Sequence, residues 1–105
     1  MTFPSGPLPA ALPLCRAVSL TGDGQVGPAG PCVYYGHEVT VALSAAVINV
    51  RDAIAAGAGT IIDQIAASAA IGVGAMLPVG IYCENGVYAD FAGTGTVTFF
   101  YRPIK

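Results

Sequence analysis

The sequence predicts an all-β chain of antiparallel strands. Three observations carry that reading. Residues 81–101 (I-Y-C-E-N-G-V-Y-A-D-F-A-G-T-G-T-V-T-F-F-Y) alternate: Val87, Ala89 and Phe91 face one way and Tyr88 and Asp90 the other. Turn signals punctuate them: Glu84-Asn85-Gly86 and Ala92-Gly93-Thr94-Gly95 offer the positive φ that tight turns require. Val97, Phe99 and Tyr101 then alternate with Thr96, Thr98 and Phe100, a run rich in β-branched and aromatic residues. The expectation is a three-strand meander whose strands pair with one another.

The chain of 105 residues is the size of one domain. Residues 1–14 hold Pro4, Pro7, Pro9 and Pro13 with Phe3, Leu8, Leu12 and Leu14 between them, and no charged side chain precedes Arg16. Proline forbids helix or central strand here and favours polyproline II. Residues 1–14 are therefore expected to be an extended arm on a neighbouring subunit or on its own domain, and residues 15–105 the folded domain.

Residues 16–20 read as a short strand, with a turn at Thr21-Gly22-Asp23-Gly24 and a rigid loop at Gly27-Pro28-Ala29-Gly30-Pro31. Cys32 to Val41 reads as a long strand. Val33, Tyr35, His37, Val39 and Val41 fall on one face, and Cys32, Tyr34, Glu38 and Thr40 on the other; Gly36 marks a bulge or bend. Residues 43–71 admit two readings. Ser44 as a cap and apolar residues at helical spacing favour a helix over 44–56. The glycines of Ala56-Gly57-Ala58-Gly59 oppose it and leave strands at 46–51 and 60–66 around a loop. Residues 75–79 read as a short strand, with Pro78 at an edge or bend.

Only 10% of residues are charged, against roughly 25% in an ordinary soluble domain. A monomer of this composition exposes much apolar surface, which marks a partner. The net charge of −2 gives no footprint for nucleic acid. Residues 65–83 carry no charge, close to the roughly 20 apolar residues that span a bilayer. Their Ala, Gly and Pro content and the lack of flanking Lys or Arg argue against membrane insertion. No basic n-region begins the chain, so no signal peptide is expected. Cys15, Cys32 and Cys83 lack C-x-x-C spacing and read as free thiols, with a Cys32–Cys83 or Cys15–Cys32 bridge as the rival.

Candidate chemistry is sparse. His37-Glu38 lacks the company a metal site needs, and neighbours on a strand point apart. Cys32 or Cys83 with His37 is a formal nucleophile–base pair without a nucleophile elbow. Glu84 and Asp90 bracket a turn as glycosidase carboxylates do, but Glu84 is more simply a solvated turn residue. Gly93-Thr94-Gly95-Thr96 precedes a strand, not a helix, and cannot cradle phosphate. Arg51 and Asp52 form a polar island; Arg51 suits a carboxylate such as Asp63 or Asp90, fixing a loop or a subunit contact. No enzyme, cofactor or metal is expected.

Four segments carry a resemblance: R-A-V-S-L-T-G-D-G-Q-V (16–26), V-I-N-V-R-D (47–52), T-I-I-D-Q-I (60–65) and residues 80–101. Together they resemble small all-β virion proteins of tailed phages. The resemblance favours strands over helix in 43–71. It implies one antiparallel β-sandwich or jelly-roll-like domain that trimerises. The implied function is a capsid cement or decoration protein bridging subunits of the major capsid protein, located in the virion and assembled in the host cytoplasm. The expected interface residues are Phe3, Leu8, Leu12, Arg51, Asp52, Tyr88 and Phe100. A tail, adaptor or fibre component is the alternative, as is a carbohydrate- or receptor-binding module in which Tyr34, Tyr82 and Tyr88 stack on sugars.

Overall fold

The computed structural model describes residues 15–44 and 47–104. The proline-rich arm, with Phe3, Leu8 and Leu12, lies outside the described residues. Eight strands follow in order: β1 (Arg16–Leu20), β2 (Gly24–Val26), β3 (Cys32–Val41), β4 (Ile48–Asp52), β5 (Thr60–Ile65), β6 (Gly74–Cys83), β7 (Val87–Asp90) and β8 (Thr96–Pro103). No helix occurs among the described residues. The contested segment is two strands because β-branched residues populate β4 and β5, and the loop between them needs glycine. Gly59 holds φ +71°, and a Cβ there would collide with the Asp52 carbonyl oxygen. The uncharged stretch 65–83 divides into the end of β5, a connector and β6.

The strands form two antiparallel four-stranded sheets, ordered β1-β8-β3-β6 and β2-β7-β4-β5. Strand β1 pairs with β8, β2 with β7, β3 with β6 and β4 with β5, as if one long hairpin were folded at the β4–β5 loop. The expected meander is not formed. Strands β6, β7 and β8 alternate between the sheets and none pairs with another. The turns at residues 84–86 and 91–95 therefore cross from sheet to sheet. The inward set is still the expected one: Val87, Ala89, Val97 and Phe99 are fully buried. They meet across the core rather than along one sheet.

One core fills the space between the sheets. Val26, Ile48, Val50, Ile65, Val87 and Ala89 enter it from one side, and Cys32, Tyr34, Val39, Cys83, Val97 and Phe99 from the other. Each large aliphatic or aromatic side chain so buried contributes about 1.5–3 kcal/mol. Phe91 meets Phe99 edge to face, with ring centroids 6.3 Å apart at 76°.

Strand β3 departs from simple alternation. Cys32 and Tyr34 point inward, but so do His37 and Val39. The register against both β6 and β8 shifts between Tyr34 and Gly36. Gly36 adopts φ +132°, and a Cβ there would collide with the Ala75 carbonyl oxygen. This bulge corrects the expected face assignment, because one extra residue exchanges the faces beyond it. Opposite it, residues 77–80 of β6 have no register partner in β3, and Pro78 among them is tolerated because β6 is a terminal strand. Strand β6 is also longer than the expected segment.

Candidate functional site

The bulge in β3 brings three polar side chains together between the sheets. Tyr34 and His37 reach inward from β3, and Asp63 reaches inward from β5. The Tyr34 hydroxyl donates to Asp63 Oδ2 at 2.6 Å, and His37 Nδ1 lies 2.7 Å from the same oxygen. An acceptor carboxylate at that distance requires the proton on Nδ1. Burial raises the pKa of Asp63, but hydrogen bonds from His37 and Tyr34, attraction to His37 and the Gln64 N–H outweigh it and hold the carboxyl below its ordinary value. Burial, reinforced by Asp63, pushes the Tyr34 phenol far above its ordinary value. An Asp-oriented histidine is half of a general-base arrangement. Here His37 is only 6% exposed and its described partners are Asp63 and Tyr34. The cluster ties one sheet to the other and leaves no described buried side-chain polar atom unsatisfied.

The thiols are poorly suited to nucleophilic work. Cys32 and Cys83 face each other across the β3–β6 pair, both buried and free, while Cys15 is exposed and free. Burial pushes the Cys32 thiol up; burial, Asp52 and Cys32 push Cys83 up to about 12. Both are protonated at neutral pH.

The outer face of the β2-β7-β4-β5 sheet is polar and bonded to itself. Arg51 Nε lies 3.3 Å from Asp90 Oδ2, and Arg51 Nη1 donates to the Gly59 carbonyl. The same Asp90 oxygen accepts the Gly57 N–H, so the pair fixes the β4–β5 loop. Gln64 donates to Asn49 Oδ1 at 2.8 Å. Asp52 accepts the Glu84 and Asn85 N–H groups and holds the turn between β6 and β7. An adjacent hollow of about 410 Å³ is walled by Ala29, Ala53, Ile54 and Ala58 with Asp52 and Glu84 at its rim. Both Asp52 oxygens are already engaged by the turn.

The outer face of the β1-β8-β3-β6 sheet is different. Register places Ala17 beside Phe100, Phe100 beside Gly36, and Gly36 beside Met76. One row along, Val33 lies between Arg102 and Tyr82. Met76 is 55% exposed, Tyr82 58% and Val79 80%. Phe100 and Met76 share a second hollow of about 410 Å³ with Glu38 and Gly74. Ser19, Thr96, Thr98, Glu38 and Thr40 occupy the other half of the face, where Ser19 and Thr98 bond at 2.7 Å. This face is thus half apolar and half polar, and its apolar half has no cover among the described residues.

No known family, curated protein or solved structure matches this chain.

The residues singled out in the sequence do not converge on one place. Phe100 lies in the apolar patch. Tyr88 pairs with Gln25 and Arg51 on the other sheet, so the shared face expected for Tyr88 and Phe100 does not exist. Arg51 and Asp52 serve their own loops. Tyr34 is fully buried and not available to a sugar, whereas Tyr82 is exposed. Sequence reasoning missed Met76 and Val79 as surface residues and missed the Tyr34–His37–Asp63 cluster. A signal for the cluster was present: Asp63 is the one acid inside the apolar run T-I-I-D-Q-I, and His37 the one imidazole of the chain.

Proposed function

We propose that the chain is a non-enzymatic virion protein of a tailed phage. It is a capsid cement or decoration subunit that acts as a homotrimer and bridges copies of the major capsid protein. The observation that carries this reading is the apolar half of the β1-β8-β3-β6 outer face, in a chain with so few charges. Exposed Met76 and Tyr82 beside half-buried Phe100 on a rigid sheet are what a shell-binding surface needs. The flank where β5 and β6 end their sheets, joined by residues 66–73, carries exposed Ile61, Ile71 and Val73 and suits contact between copies.

The strand order supports a β-sandwich of jelly-roll type. Pairing of first with last strand, second with seventh, third with sixth and fourth with fifth rolls one hairpin into two facing sheets. That architecture is common in capsid and lectin domains. The resemblance to small phage virion proteins favours the capsid over the lectin.

The test is immunoelectron microscopy of particles from the source organism, using antibody raised against this chain. Label on DNA-filled heads is expected. Label on tails alone overturns the head assignment, and unlabelled particles together with glycan-array binding overturn the virion reading.

A further inference from the structure

We propose that Cys32 and Cys83 are a redox site: a small-molecule disulfide of the glutathione type oxidises them to a bond that fastens edge strand β6 to β3. The first argument is register. Cys32 and Cys83 are direct partners in the antiparallel β3–β6 pair. Directly opposed residues send their side chains to the same face of a sheet. Here that face is the core, and both thiols are fully buried in it. Opposed Cα atoms lie about 4.5–5.5 Å apart, inside the roughly 4.4–6.8 Å that a disulfide accepts. Their Cβ atoms must approach by up to about 1 Å. Strand β6 ends its sheet and has no neighbour on its far side to hold it back. The thiols already sense each other: after burial and Asp52, Cys32 is the group that pushes Cys83 up. Cys15 is not a rival partner for Cys32. It precedes β1, and β8 lies between β1 and β3, so two strand spacings of about 4.8 Å each keep it out of reach.

The second argument is access. The thiolate is the nucleophile in disulfide exchange, so buried and protonated thiols resist it. The end of β6 supplies the opening. Residues 77–80 have no register partner in β3, and residues 84–86 turn away toward β7. Between them, Ile81, Tyr82 and Cys83 alone pair with residues 32–34. A three-residue ladder on a terminal strand opens at far lower cost than the whole domain. The bond forms through this opening and, once formed, abolishes it.

The chemistry is two successive exchanges. In the opened state the Cys83 thiolate attacks one sulfur of the small disulfide, forms a mixed disulfide and releases one small thiolate. The Cys32 thiolate then attacks Cys83 Sγ and expels the second small thiolate. The two protein thiols lose two electrons, the small disulfide gains them, and the two protons pass to the released thiolates. Excess small thiol runs the same steps backward. Strand β6 also carries Met76 and Tyr82 of the apolar half-face. Oxidation therefore fixes that half-face to the sheet, and reduction lets its edge open. The inference stands on strand pairing and is independent of the virion reading.

The test uses the full chain. Trypsin cleaves after Arg16 and Arg51, while Pro103 shields Arg102, so peptides 1–16, 17–51 and 52–105 hold Cys15, Cys32 and Cys83 respectively. The folded, reduced chain is equilibrated with oxidised glutathione and denatured in N-ethylmaleimide to block free thiols. It is then digested without reduction and mapped by mass spectrometry. The expected product is 17–51 linked to 52–105, from a chain that runs as a monomer in non-reducing electrophoresis and is released by excess reduced glutathione. The linked chain should melt at least about 8 °C above the reduced one, the shift expected of a bond closing so long a loop. Cys83→Ala should abolish both the link and the shift; if that variant does not fold, the wild-type map decides. Free thiols throughout, glutathione adducts without the link, a link through 1–16 in its place, a linked dimer, or an unchanged melting temperature in the linked chain would each overturn the proposal.

Discussion

The two outer faces of this molecule are built in opposite ways. On the β2-β7-β4-β5 sheet, Arg51, Asp90, Asn49 and Gln64 bond to one another and to nearby loops. Edge strand β5 even turns Asp63 inward to the other sheet, an arrangement that also discourages stray pairing at that edge. On the β1-β8-β3-β6 sheet, Phe100, Met76 and Tyr82 face out with no such network. Charged side chains occur on both sheets, Arg51, Asp52 and Asp90 on the first and Arg16, Glu38 and Arg102 on the second, so the bonded network and not the number of charges distinguishes the faces. The lesson is that low charge here does not mean uniform stickiness. It leaves one face bonded to itself and half of the other apolar and uncovered among the described residues.

That contrast can be broken from either side. The largest effect is expected from Asp63→Ala, which strands the Tyr34 hydroxyl and the His37 imidazole between the sheets. Loss of about 3 kcal/mol is expected in urea unfolding. Asp63 should also make folding acid-sensitive. Its carboxyl is held below the ordinary value when folded, so its contribution is complete above the unfolded pKa of about 3.9 and is lost as pH falls through the lower folded value. The gap in urea midpoint between the wild type and Asp63→Asn should stay constant from about pH 7 to 5 and shrink below about pH 4. A gap that widens on acidification would contradict the cluster as described.

A smaller effect belongs to Arg51→Ala. It removes a partly exposed ion pair and a loop hydrogen bond, for about 1 kcal/mol in thermal or urea unfolding. Smallest of all is Val79→Lys, in the unpaired stretch of edge strand β6. Val79 is mostly solvated already, so stability should change by no more than about 0.5 kcal/mol. A large loss there would mean that this stretch is part of the core.

Much of the fold was legible in the sequence because alternation reports which residues share a face. Arg16–Leu20 and Cys32–Val41 were bounded by turn residues and by period-two patterns, and both are strands with those limits. Alternation says nothing about which strand lies alongside. Val87 and Ala89 present the same inward pattern whether they neighbour Val97 and Phe99 or oppose them, so the meander was the local reading and the crossing turns were hidden. Strand β2 is three residues long and too short to show a period. The bulge at Gly36 was anticipated, but not its effect on His37, which depends on register against two other strands. The inter-sheet cluster could be located only once β3 and β5 were placed opposite each other, 26 residues apart in sequence.

The most direct test of the central claim compares single lysine substitutions on the two outer faces. Met76→Lys and Tyr82→Lys mark the apolar face; Gln64→Lys and Tyr88→Lys mark the polar one. The readout is occupancy on purified phage heads, measured by quantitative mass spectrometry after sedimentation. Occupancy is expected to fall at least about tenfold for the first pair, the equivalent of about 1.4 kcal/mol, and to stay within about twofold for the second. Retained binding by Met76→Lys and Tyr82→Lys with loss by Tyr88→Lys would contradict the assignment of the partner face.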